Sequence, residues 1–97
     1  MNALFDIRFT RRHITRSRAT SSALRVSGKT AVSAARYLLR TLRRENAQGV
    51  YSLVSVAPVV AAAAFAEQAT RARRAVRSGK ATGERLEILR AVARGTR

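Results

Sequence analysis

From Asn46 to Ala66 the chain runs 21 residues without a charge, although arginine is dense on both sides. A bilayer's hydrocarbon core takes about 20 mostly apolar helical residues to cross. An uncharged stretch of that length is therefore a candidate membrane span. Its many alanines, with Ser52, Ser55, Gly49 and Pro58, make it only weakly hydrophobic, and a span of small residues depends on packing against other helices. Two readings stay open. In the first, residues 47–66 form one membrane helix kinked at Pro58. In the second, the run is the core segment of a soluble protein and Gly49 and Pro58 mark joints between elements. Val50–Val56 is then extended, favoured by β-branched and aromatic side chains, and Pro58 opens a helix that runs to about Arg77. Under either reading Val50, Leu53, Val54, Val56, Val59, Val60 and Phe65 form the membrane or core segment. Net charge is +9 over residues 1–45 and +6 over 67–97, which barely specifies an orientation in a bilayer.

The flanks carry a second constraint. Over 97 residues the formal net charge is +15, and 18 of the 20 basic residues are arginine. A chain of this length is at most one small domain with a modest core. Arginine presents a planar donor fork suited to phosphate and carboxylate. Helical spacing offers few local acidic partners: Glu45 beside Arg44, Glu67 near Arg71, and Glu84 and Glu87 near Arg90. Uncompensated charge at this density repels itself and points to an anionic partner. The partners expected are other protein subunits of an assembly together with anionic lipid or nucleic acid, and no small-molecule substrate. The candidate anion-binding residues are Arg11, Arg12, Arg16 and Arg18 near the N-terminus, Arg36, Arg40, Arg43 and Arg44 in the middle, and Arg71, Arg73, Arg74 and Arg77 beyond the uncharged run. Aromatics that would stack on bases are scarce, so sequence-specific reading of single strands is disfavoured.

Regular elements are legible in part. Leu4–Phe9 alternates, with Phe5, Ile7 and Phe9 on one side, as in a short strand or extended arm. Residues 10–26 are rich in arginine, serine and threonine and read as a basic arm that a partner would order. Thr30 is a plausible N-cap for a helix over 31–47. Ala31, Val32, Ala35, Leu38, Leu39 and Leu42 form its apolar arc, and Arg36, Arg40, Arg43 and Arg44 fall outside it. Gly49 is placed as that helix's C-terminal glycine. Further on, Phe65, Ala69, Ala72 and Val76 share one face, and Ser78–Gly79 is a stop. Thr82 would cap a last helix over 83–94, with Leu86, Leu89, Val92 and Ala93 inward and Glu87, Arg90 and Arg94 outward.

No motif names a reaction. Gly28-Lys29-Thr30 imitates the end of a P-loop, but Ala23 stands where the motif needs glycine and no hydrophobic strand precedes it. Asp6, His13 and a serine offer no scaffold for a triad. A ribbon–helix–helix dimer would need a first helix over 11–26, where no convincing apolar stripe exists. Without cysteine there are no disulfides or thiolate metal sites, and a single histidine among scattered carboxylates implies neither a metal nor a cofactor. Residues 1–44 have the composition of a mitochondrial targeting segment, and no apolar stretch near the start fits a secretory signal.

The resulting expectation is a mostly α fold with helices over 31–47, 58–77 and 83–94, and a candidate single membrane span within 48–66. Residues 1–26 would be a basic extended arm and 27–97 a small helical domain. The function expected is that of a non-enzymatic structural subunit, membrane-associated in a mitochondrial inner membrane or in a virion or bacterial membrane. Its arginine faces would dock on anionic surfaces. The alternative is a soluble structural protein of a ribosome or virion that binds nucleic acid without sequence specificity.

Overall fold

A computed structural model describes residues 2–60 and 63–95. Along them run β1 (Ala3–His13), β2 (Thr20–Gly28), α1 (Ala31–Glu45), β3 (Gly49–Pro58), α2 (Ala63–Ser78) and α3 (Gly83–Arg94). The sheet has the order β2-β1-β3, and β1 is antiparallel to both neighbours. The class is therefore α/β, not mostly α. Where a basic arm over 1–26 is expected, the described residues 3–28 form a hairpin, in which Ala3 pairs with Gly28 and Arg11 with Thr20.

Alternation in β1 sends Phe5, Ile7 and Phe9 into the core. In β3, Tyr51 and Leu53 point the same way, but the next buried residue is Val56. The change of parity comes from a bulge. Phe9 faces Leu53 while Arg8 faces Ser55, so Val54 is the extra residue. The helices cover this face with Ala34, Ala35, Leu38 and Leu39 of α1, Phe65, Ala69 and Ala72 of α2, and Ile88, Leu89, Ala91 and Val92 of α3. Phe5 and Phe65 meet with ring centroids 6.2 Å apart, and so do Phe9 and Tyr51.

Local chemistry sets the element ends. Thr30 Oγ1 accepts from the Ser33 N–H at 3.1 Å, and Ser33 Oγ accepts from the Thr30 N–H at 3.1 Å, which makes a capping box. The Ala31 N–H donates to Gln68 Oε1 at 2.7 Å, so a residue of α2 satisfies another free donor of α1. This helix ends at an Asn46 C-cap rather than at Gly49, which instead opens β3. Gly79, at φ +73°, terminates α2 in the left-handed region. Thr82 occupies the N-cap of α3 but makes no side-chain cap bond. Just past α3, Gly95 lies so close to the Val56 carbonyl that any Cβ would overlap it.

The membrane-span expectation is overturned here. The uncharged run is divided: its first residues connect α1 to β3, Gly49–Pro58 is a sheet strand, and Ala63–Ala66 begin α2. Among the described residues no helix is long and apolar enough to cross a membrane, so neither the single-pass reading nor the membrane localisation built on it stands. The run lacks charge because one side of β3 is core, with Leu53 and Val56 buried, while its other side carries Val50, Ser52 and Val54, all exposed. Phe65 is buried, Val59 half-buried and Val60 exposed.

Candidate functional site: a basic cleft at the hairpin end

The β1–β2 hairpin reverses over residues 14–19, and its turn is internally tied. The Arg16 N–H donates to the His13 carbonyl at 2.9 Å. Arg12 Nη1 donates to the Arg16 carbonyl at 2.7 Å and to the His13 carbonyl at 3.5 Å. His13 Nδ1 accepts from the Thr15 N–H at 3.2 Å and lies 2.7 Å from Thr15 Oγ1. The Ile14 N–H then donates to the Gln48 carbonyl at 2.8 Å, which pins the turn to the connection between α1 and β3.

Between that turn and that connection lies an open cleft of about 510 Å³. Arg11, Arg12, Arg16 and Arg18 line it from the hairpin, with Glu45, Asn46 and Gln48 on the opposite wall. The four N-terminal candidate arginines are thus brought together at one site. Arg11, Arg16 and Arg18 are exposed and Arg12 is half-buried. Glu45 is the one carboxylate in the lining, so the cleft is strongly cationic. Tyr51 also lines it, but at 3% exposure it offers no ring face to a ligand.

The other candidate arginines are distributed elsewhere. Arg36, Arg40 and Arg44 border a surface groove of about 340 Å³ on α1, beside the exposed Tyr37. Arg71 and Arg74 border another of about 380 Å³ on α2, and Arg77 is exposed in the last turn of that helix. Arg73 donates to the Ala93 carbonyl at 3.5 Å and to Thr70 Oγ1 at 3.3 Å.

Arg43 and Arg40 have internal partners. Arg43 reaches Glu84 at 3.4 Å and Glu87 at 3.1 Å, and Arg40 reaches Glu84 at 3.4 Å. These pairs cross between helices. Among the described residues the ion pairs do not include the local ones suggested by spacing, such as Glu67 with Arg71. Glu87, expected on the outward face of α3, instead accepts the Leu53 N–H at 2.9 Å. Arg43 donates to the Tyr51 carbonyl at 3.2 Å and Arg94 to the Val54 carbonyl at 3.1 Å. Side chains thereby occupy the outer edge of β3. Helical periodicity does not predict this, because it says which way a residue points from its own axis and not what lies there.

Among the described residues no group of three His, Cys, Asp or Glu is placed to hold a metal ion. Compared with protein-family models, with curated proteins and with solved structures, the chain matches none.

Proposed function

We propose that this is a non-enzymatic nucleic-acid-binding protein that neutralises phosphates without reading sequence, as a component of a nucleoprotein assembly. The observation that carries the reading is the cleft, where four arginines from one hairpin line a single open cavity against one carboxylate. Arginine forks suit phosphate oxygens, and a net charge of +15 supplies the long-range attraction to a polyanion. Nucleic acid is favoured over a lipid surface because interfacial helices need an unburied apolar face. Here the apolar face of α1 is buried, with Ala31, Ala34, Ala35, Leu38 and Leu39 all in the core.

The test is a detergent-free salt titration of binding to DNA of arbitrary sequence. The logarithm of the binding constant should fall linearly with the logarithm of salt concentration, with similar slopes for unrelated sequences. Replacing both Arg16 and Arg18 by alanine should reduce the slope by about two, one per lost phosphate contact. A salt-independent interaction, or none, removes the proposal.

A further inference from the structure

Among the described residues no helix covers the second face of the sheet. On β1 it presents the residues of parity opposite to Phe5, Ile7 and Phe9, and the strand registers set their neighbours. Asp6 lies between Arg25 and Ala57, Arg8 between Ala23 and Ser55, and Thr10 between Ser21 and Ser52. The one acid here is already matched, with Arg25 Nε 3.1 Å from Asp6 Oδ1. Arg8 stands exposed at the middle of the central strand, and none of the ion pairs among the described residues involves it. Its flanking side chains are short, and a shallow depression of about 360 Å³ opens beside it along Ser21, Ala23 and Val54. Four residues on, Arg12 shares the parity of Arg8 and also lines the hairpin-end cleft, so it stands where the face meets the cleft. A strand rises 3.3–3.4 Å per residue, which sets the Cα atoms of Arg8 and Arg12 about 13 Å apart, with the Arg12 guanidinium turned toward the Arg16 and His13 carbonyls.

We infer that this uncovered sheet face is a second nucleic-acid contact surface, adjoining the cleft at Arg12, and that its occupant is the phosphate backbone of a duplex rather than a single strand. The inference rests on the nucleic-acid reading above and narrows its substrate class. Single-strand surfaces gain much of their affinity by stacking bases on aromatic rings. In this sheet Phe5, Phe9 and Tyr51 all point to the helices and are at most 4% exposed. What remains on the bare face is the charge of Arg8 and Arg12 among hydroxyls and the exposed aliphatic side chains of Leu4, Val50 and Val54, which offers cations to phosphates and no aromatic ring to a splayed base.

The test is fluorescence anisotropy on the full chain, with a random-sequence duplex and an oligo(dT) strand of equal length, across a salt series. The duplex is expected to bind several-fold more tightly at each salt concentration. Arg8→Ala should lower the duplex salt slope by about one and weaken binding uniformly across sequences. Ser55→Glu, which sets a carboxylate beside Arg8, should weaken duplex binding with the arginine still present, and Arg8→Lys should restore the slope. Thermal melts establish that each variant is folded. Unchanged duplex binding in both Arg8→Ala and Ser55→Glu, while the Arg16/Arg18 double variant still loses affinity, overturns the face and leaves the cleft reading standing. Oligo(dT) binding as tightly as duplex overturns the substrate class. Absence of binding to either nucleic acid removes the broader proposal and this one with it.

Discussion

A single carboxylate, Glu87, ties α3 to two other elements: Oε2 accepts the Leu53 N–H of β3 at 2.9 Å and Oε1 meets Arg43 of α1 at 3.1 Å. Its side chain is 27% exposed and that of Arg43 40%, so this contact is only partly screened by water. Removing it leaves a part-buried backbone donor and a guanidinium with one acceptor fewer. Glu87→Ala is therefore expected to cost about 2 kcal/mol, or roughly 10 °C in melting temperature for a domain of this size. Arg40→Ala, which breaks an ion pair whose arginine side chain is 66% exposed, should cost under about 1 kcal/mol. Parallel urea and thermal denaturation of the two variants checks the contrast. Equal losses would mean that the Leu53 bond contributes nothing beyond a surface ion pair.

At the scale of elements, two threonines at helix N-caps behave differently. Thr30 and Ser33 exchange bonds, whereas Thr82 makes no side-chain cap bond. Thr30→Ala should destabilise by about 1 kcal/mol, while Thr82→Ala should leave the denaturation midpoint almost unchanged. A loss at Thr82 matching that at Thr30 would contradict the cap assignment. Both threonines are legible in the sequence as caps; only geometry separates them. The strands show the same division. Phe5, Ile7 and Phe9 announce β1 by alternation, but β2 is nearly all exposed, and only Val26 among its apolar residues is even half-buried. An edge strand wet on both faces has no apolar period to detect, so it reads as an arm. In β3 the bulge places Leu53 and Val54 side by side and breaks the alternation, and the absence of charge then imitates a membrane helix. The four cleft arginines are legible as basic residues, but their convergence is not. It depends on a reversal at residues 14–19 that carries no glycine, proline or asparagine to mark it.

For the whole molecule the governing quantity is excess positive charge. Asp6, Glu84 and Glu87 are committed to ion pairs at the surface, each worth at most about 1 kcal/mol, against a net +15 spread over the chain. Repulsion should win. Raising salt from about 0.01 M to about 0.15 M shortens the Debye length from roughly 30 Å to roughly 8 Å, and the melting temperature is expected to rise. A fall would mean that the ion pairs outweigh the repulsion. A duplex that binds the folded form alone should raise it further, with the logarithm of one plus ligand concentration over Kd. The treatment of the sheet's rims has a consequence for assembly. Glu87, Arg43 and Arg94 take up the Leu53 N–H and the Tyr51 and Val54 carbonyls along the outer margin of β3, so among the described residues a foreign strand meets more resistance there than past β2. Strand addition in this architecture is thereby steered toward pairing through β2 and away from open-ended growth through β3.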